Sequence, residues 1–280
     1  MKIVAHTVFK NEVNWLWYSV TSVIEHVDKL LLWDTGSTDG SWEIAKKIRK
    51  LYPERIELKQ YGSVTPGEFP VVRQKMLDAT SADWLLVVDG DEVWWEDSIV
   101  KLVKTIRERG NGLEMIVNTN INPVGDIFHI IPSQKGRYNI DGRSGFFNIR
   151  AINLKVEGLH AKGDHGVQGY YDGENKLIQD GKKNRKLYCD YGYMHMTNLK
   201  RSKSPQMERK VPKRAKKFKY ELGSPLPLDF YYPESFFKPK PRLVPTPWNT
   251  RSNKYISIAL LQKPLKFLKN KLGLHKKYGY

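Results

Sequence analysis

Cysteine is almost absent: Cys189 is the only one in 280 residues. That excludes an intramolecular disulfide framework and suits a reducing compartment. No apolar run approaches the roughly 20 residues that a membrane-spanning helix needs. The opening "MKIVAHTVF" has neither the long apolar core nor the small-residue cleavage site of a secretion signal. A cytoplasmic location, extending to the inner face of a membrane, is therefore expected. Internal repeats are not visible. The Gly-x-Gly-x-x-Gly dinucleotide fingerprint and the Gly-Lys-Ser/Thr of a P-loop are lacking, as are helix-turn-helix, zinc and RNA-binding patterns. At a pI of 9.7 nucleic acid would be the reflex partner, but none is expected here.

Acidic residues are scarce only in the second part of the chain. Residues 1–120 hold 15 Lys/Arg and 18 Asp/Glu, whereas residues 121–280 hold 32 and 12. The first stretch is an ordinary acidic-to-neutral body, and the second faces something anionic. Along the first stretch, strand-like runs ("KIVAHTVF", "DKLLLWD", "RIELKQY", "DWLLVVD", "LEMIVNTN") alternate with helical patterns over 11–27, 41–52, 71–80 and 97–110. Asp97 or Ser98 is the expected N-cap of the last helix. Such alternation predicts an α/β fold with a mostly parallel sheet flanked by helices. From 121 to 198 shorter strand-like pieces and Gly-rich loops extend the same fold. Residues 199–280 read as a basic, Pro-rich C-terminal extension, with helical, membrane-associating character at its end.

Two polar clusters fall at strand ends, where ligands of parallel sheets bind. "LLVVDGDEVWW" (85–95) delivers Asp89, Asp91 and Glu92 straight out of an apolar run. Like charges this close need a positive partner, and Asp-x-Asp suits a divalent cation completed by phosphate oxygens and water. Asp-Gly is also plain turn chemistry, so the residues alone leave both readings open. "DTGSTDG" (34–40) is a solvated loop before a helix, or a nucleotide contact through Asp34 and the amides at the helix start.

In order and spacing, "FKNE", "LLLWDTGSTDGS" and "VVRQKMLDATSADWLLVVDGDE" resemble family-2 glycosyltransferases of the GT-A fold. The resemblance covers roughly residues 3–110, with Lys10 where that family usually has Arg and Gln74 where it often has Asn. It implies a nucleotide-sugar site at Phe9, Asn11, Glu12, Asp34, Gly36, Asp39, Arg73 and Asp89. It also implies a Mn²⁺ or Mg²⁺ site at Asp91, with Asp89 and His195. Its donor would be a nucleoside-diphosphate sugar, a UDP-sugar being favoured, and the transfer would be inverting. The Gln-x-x-Arg-Trp motif of processive synthases is absent, which favours addition of a single sugar. The rival within the same plan is a sugar-phosphate nucleotidyltransferase, whose Gly-rich, Arg/Lys-bearing N-terminal loop is missing.

The proton acceptor for an inverting transfer falls, on sequence, in "KVEGLHAKGDHGVQGYYDGE", at Asp164 or Glu157. Trp94, Trp95 and His160 are the expected contacts to a glycan or glycolipid acceptor, aromatic faces being suited to sugar rings. For the basic run 199–219 the expected partner is an anionic membrane surface, since Lys/Arg near such a leaflet contribute about 1 kcal/mol each. Leu265, Leu268 and Leu272 would share one side of a terminal helix, although Phe267, Leu274 and Lys269 break the pattern.

Overall fold

The computed structural model describes residues 1–136, 138–163, 169–211 and 214–271. Its centre is an eight-stranded sheet. β1 (Ile3–Phe9), β2 (Lys29–Asp34), β3 (Ile56–Gln60) and β4 (Trp84–Val87) pair in parallel in the order β3-β2-β1-β4. Every residue of β1 and β4 is buried, the signature of strands covered on both faces. Strand Phe147–Asn153 then inserts antiparallel between β4 and β6 (Met115–Ile121). Strand Lys186–His195 runs parallel to β6 and carries β5 (Glu92–Trp94) antiparallel on its far side. The sheet is thus mostly parallel, as the alternation predicts.

The helical expectations hold for α2 (Ser41–Leu51), α3 (Phe69–Asp78) and α4 (Glu96–Arg109). In α4 the buried Ile99, Leu102, Val103 and Ile106 form one stripe. Its N-cap is Trp95, not Asp97 or Ser98, and the free Glu96 amide donates to Glu234 Oε2 at 2.8 Å. The helix expected over 11–27 shrinks to α1 (Leu16–Thr21). Its apolar residues are buried all round, and Ser22 leaves the helix to accept from the Trp94 amide at 3.1 Å. Tertiary contact overrides local pattern there.

The C-terminal region is built into this body, so a division at residue 198 cuts through one core. Phe236 and Val244 belong to the main hydrophobic cluster, and the Tyr18 hydroxyl donates to Pro245 O at 2.8 Å. Ser224–Pro225 pairs with strand Asp126–Ile130. Helix α5 (Pro205–Arg209), helix α6 (Arg214–Lys217) and helix α7 (Asn253–Lys271) complete the described chain. Of the Leu/Phe stripe expected at its end, Leu272 and Leu274 lie outside the described residues.

One buried group gives the fold a pH dependence. His6 in β1 is 1% exposed, and its Nε2 lies 2.6 Å from Thr80 Oγ1. That hydroxyl donates to Met76 O at 2.7 Å, so His6 Nε2 must donate, and the buried Nδ1 has no partner to accept a second proton's hydrogen bond. Burial, aided by Arg73, lowers its pKa to about 3. The unfolded imidazole takes up a proton near its ordinary 6.5 while the folded one does not. Stability is therefore full above that value and falls as pH drops toward 3, by up to about 1.4 kcal/mol per pH unit. Denaturant unfolding at pH 7, 6 and 5 should show His6→Gln losing stability less steeply than wild type; equal slopes would sink the assignment.

Candidate functional site

Because β1, β2 and β4 run parallel, the loops leaving Phe9, Asp34 and Val87 emerge on one rim. Four residues expected to touch a nucleotide knit those loops together. Asn11, at φ 55° in the left-handed region, accepts from the Thr38 amide through Oδ1 at 2.7 Å. Asp34 is buried and accepts from the Ser37 amide at 3.0 Å. Asp39 accepts from Ser41 N at 3.0 Å and Val13 N at 3.2 Å. Gly36 has φ 88°, and a Cβ there would lie 3.1 Å from Ser63 Cα. None of these four residues borders the cavity on the rim. They position it.

The cavity has a volume of about 250 Å³ and is bordered by Phe9, Glu12, Arg73, Asp89, Asp91 and His195, all read from the sequence. Three residues not singled out there, Arg150, Arg201 and Arg214, also border it. Each carboxylate has its own guanidinium. Asp89 Oδ1 accepts from Arg73 Nη2 at 2.8 Å, and its Oδ2 lies 3.5 Å from Arg150 Nη2. Arg150 also pairs with Glu92, and Arg201 with Asp91. Arg214 pairs with Glu12, to which Arg201 adds a contact at 3.4 Å. Signals for these arginines existed. Arg150 interrupts the apolar "FNIRAIN" run, and the density of basic residues after 199 was visible but read as surface.

Burial alone would raise every one of these acids. It is outweighed at Asp89, which Arg73 and Arg150 hold at about 2, and at Asp91, which Arg201 and His195 hold well below the carboxylate range. At Glu12 and Glu92 burial prevails, and both rise to about 8. Burial lowers His195 against the opposing pull of Asp91. The arrangement is a buried lattice of arginines and acids in which the buried Arg73 Nη1 and Arg201 Nε have no protein partner. Guanidinium groups that border a cavity are suited to phosphate oxygens.

Other expectations change. Trp94 is fully buried, packed on Tyr193 with ring centroids 4.9 Å apart across the β5 pairing, and offers no face to an acceptor. Trp95 is only partly buried, and its Nε1 donates to Tyr231 O at 2.9 Å. Glu157 is exposed and does not border the cavity. His160 stacks on Tyr171, with Nδ1 2.8 Å from Gly158 O, also off the cavity. Asp164 lies outside the described residues. Gln74, where the sequence departs from the family pattern, accepts from the Ala161 amide at 2.7 Å and ties α3 to strand His160–Lys162.

Asp91 Oδ2 and His195 Nε2 are 3.5 Å apart. One carboxylate and one imidazole fit Mn²⁺ or Mg²⁺ when diphosphate oxygens and water complete the shell. Among the described residues no group of three or more His, Cys, Asp or Glu could hold a metal, and Arg201 competes for the same Asp91 oxygen. These residues therefore fit a cation that arrives with its nucleotide. Asp89, with both oxygens on arginines, is the poorer ligand of the two.

A family model described as "Glycosyl transferase family 2" matches residues 5–154. No curated protein matches the sequence. Among solved structures, S. aureus TarS (residues 1–349, with UDP-GlcNAc) is 14% identical, with 73% of this chain and 60% of that one covered at a TM-score of 0.49. Glucosyl-3-phosphoglycerate synthase from Mycobacterium tuberculosis, with Mn²⁺ and UDP-glucose, is 15% identical, with 73% of each chain covered at 0.43. The mannosyltransferase PcManGT from Pyrobaculum calidifontis, with GDP-Man and Mn²⁺, is 14% identical, with 54% and 44% covered at 0.37. This chain thus spans about 60% of the length of the S. aureus fragment.

Proposed function

Since the chain belongs to glycosyl transferase family 2, with its GT-A type of α/β fold, we propose that it moves one sugar, with inversion, from a nucleoside-diphosphate sugar to a glycan or glycolipid hydroxyl. A UDP-sugar is the favoured donor. The observation that carries this reading is the set of four arginines that border one rim cavity, paired there with Asp89, Asp91 and Glu12 and, behind its wall, with Glu92. A departing nucleoside diphosphate carries about two to three negative charges. Preorganised guanidinium groups stabilise that charge where it develops, without reorganisation at the moment of reaction.

In this mechanism Arg73 and Arg201, which border the cavity, offer their guanidinium groups to the diphosphate, and Arg214 holds Glu12 and the Lys10 carbonyl in place. Asp91 and His195 would hold Mn²⁺ or Mg²⁺, whose chemistry is Lewis-acid neutralisation of the leaving diphosphate. The cavity of about 250 Å³ is below the roughly 300–1,000 Å³ of small-ligand sites. Asp164 is the proposed base for the acceptor hydroxyl.

No described helix is long and apolar enough to cross a membrane. Peripheral contact with an anionic surface would fall to the exposed Lys200, Lys203, Arg209 and Lys210, since Arg201 and Arg214 are internal.

The test is thermal unfolding with Mn²⁺ or Mg²⁺ and each of UDP, GDP, CDP and dTDP. A diphosphate at 100 times its Kd adds about 2.7 kcal/mol, a rise of several degrees for a chain of this size. A metal-dependent rise with one diphosphate is expected, UDP first. No rise with any of the four would refute the donor site.

A further inference from the structure

Past β6 the same rim opens into a second cleft of about 770 Å³, well within the roughly 300–1,000 Å³ of small-ligand sites. Topology places it there. β6 and strand Lys186–His195 run parallel, and strand Phe147–Asn153 starts where they end. Thr119, Asn120, Phe147 and Tyr193 therefore gather on its wall. Phe147 borders both clefts. The Tyr193 hydroxyl accepts from Arg150 Nε at 2.9 Å, and Arg150 borders the first cavity. Phe147 and the Arg150–Tyr193 pair thus form the border that the two clefts share.

Their chemistry differs sharply. Where the first cavity is a lattice of arginines and carboxylates, the second has a single charged side chain among its described lining, Asp190. The rest of its polar lining is hydroxyl and amide, from residues such as Ser98, Gln134 and Ser144, and its walls are aromatic, from Trp95 to Tyr191. Asn120 is 9% exposed; its Oδ1 accepts from Asn122 Nδ2 at 2.6 Å, and its own Nδ2 has no protein partner.

These features select a ligand class. Sugar rings pack C–H faces on aromatic side chains, while their hydroxyls pair with amides and hydroxyls. An anionic acceptor would meet Asp190 and no compensating cation among the described lining residues. A lipid chain would strand the polar atoms. We propose that this second cleft is the acceptor site and that it takes an uncharged saccharide, presented to the donor cavity across Phe147. The inference rests on the glycosyltransferase reading above and narrows its acceptor.

The experiment is saturation-transfer NMR on the full chain with UDP and Mn²⁺ present. The probes are maltotriose, cellotriose, chitotriose and mannotriose, with glucose 6-phosphate and mannose 6-phosphate as anionic counterparts. Wild type is compared with Gln134→Trp and Ser144→Trp, both at exposed positions, where a large ring fills the cleft without entering the core. At least one neutral trisaccharide should bind at least tenfold tighter than either phosphate. Both variants should weaken it at least tenfold while the UDP-induced thermal shift stays intact. The inference fails if UDP binds and no neutral saccharide does, if the phosphates bind better, or if neither variant changes binding. Loss of the UDP shift in wild type is a different result, and overturns the donor reading itself.

Discussion

Replacing Asp91 with asparagine should lower kcat/KM for sugar transfer by two to three orders of magnitude, roughly the loss seen when a preorganised electrostatic contact to developing charge is removed. The carboxylate is 2% exposed and receives Arg201 on the oxygen that also faces His195 at 3.5 Å. It is held ionised, because Arg201 and His195 outweigh the burial that opposes its charge. Asparagine keeps the shape and loses the charge. Arg201 is then released from its anchor, and the carboxylate-imidazole pair that suits a cation is reduced to the imidazole. Two readouts separate this from damage to the fold: Mn²⁺ affinity by EPR with UDP present, which should fall at least tenfold, and the melting temperature without ligand. A variant that keeps its Mn²⁺ affinity and loses only a few-fold in kcat/KM would make Asp91 a structural residue.

Arg150→Met should destabilise the fold by about 3–5 kcal/mol, the typical cost of breaking a buried ion pair from one side. Arg150 is 8% exposed and reaches Glu92, which is fully buried, together with Asp89 and the Tyr193 hydroxyl. Burial raises Glu92 to about 8, so the measurement is made at pH 9, where Glu92 without Arg150 keeps a charge with no partner or takes up a proton, and either route costs free energy. The same logic gives the control. Adding Glu92→Gln to Arg150→Met removes the stranded charge and should recover at least half of the loss, a coupling that a double-mutant cycle in denaturant measures directly. Strictly additive losses would mean that the pair does not hold this part of the sheet together.

Much of the architecture was legible because its causes are local. Apolar runs such as "WLLV" bounded by turn residues announce buried parallel strands, and the stripe Ile99, Leu102, Val103, Ile106 announces α4. The acids of "DGDE" could be placed on the ligand rim because parallel strands all end on the same side. Phe9, Glu12, Arg73, Asp89, Asp91 and His195 do border one cavity. By contrast, Asn11, Asp34, Gly36 and Asp39 were recognisable as a special loop but not as its scaffold. A short polar side chain can serve a ligand or its own backbone, and spacing does not separate the two uses.

What the sequence determined by itself was the strand-helix alternation, the position of the acidic motif at a strand end and the split in charge between the two parts of the chain. These depend on neighbours within a few residues. Tertiary structure alone decided what those charges do. Arg201 and Arg214, read along the chain as part of a basic surface run, fold back across 110 and 202 positions onto Asp91 and Glu12. Trp94 and Trp95, adjacent in sequence, take opposite fates because Trp94 ends β5 while Trp95 is the cap at which α4 begins, one against Tyr193 in the core and the other along the second cleft. Burial and long-range pairing are properties of the folded surface, and no local pattern encodes which distant charge will close on which.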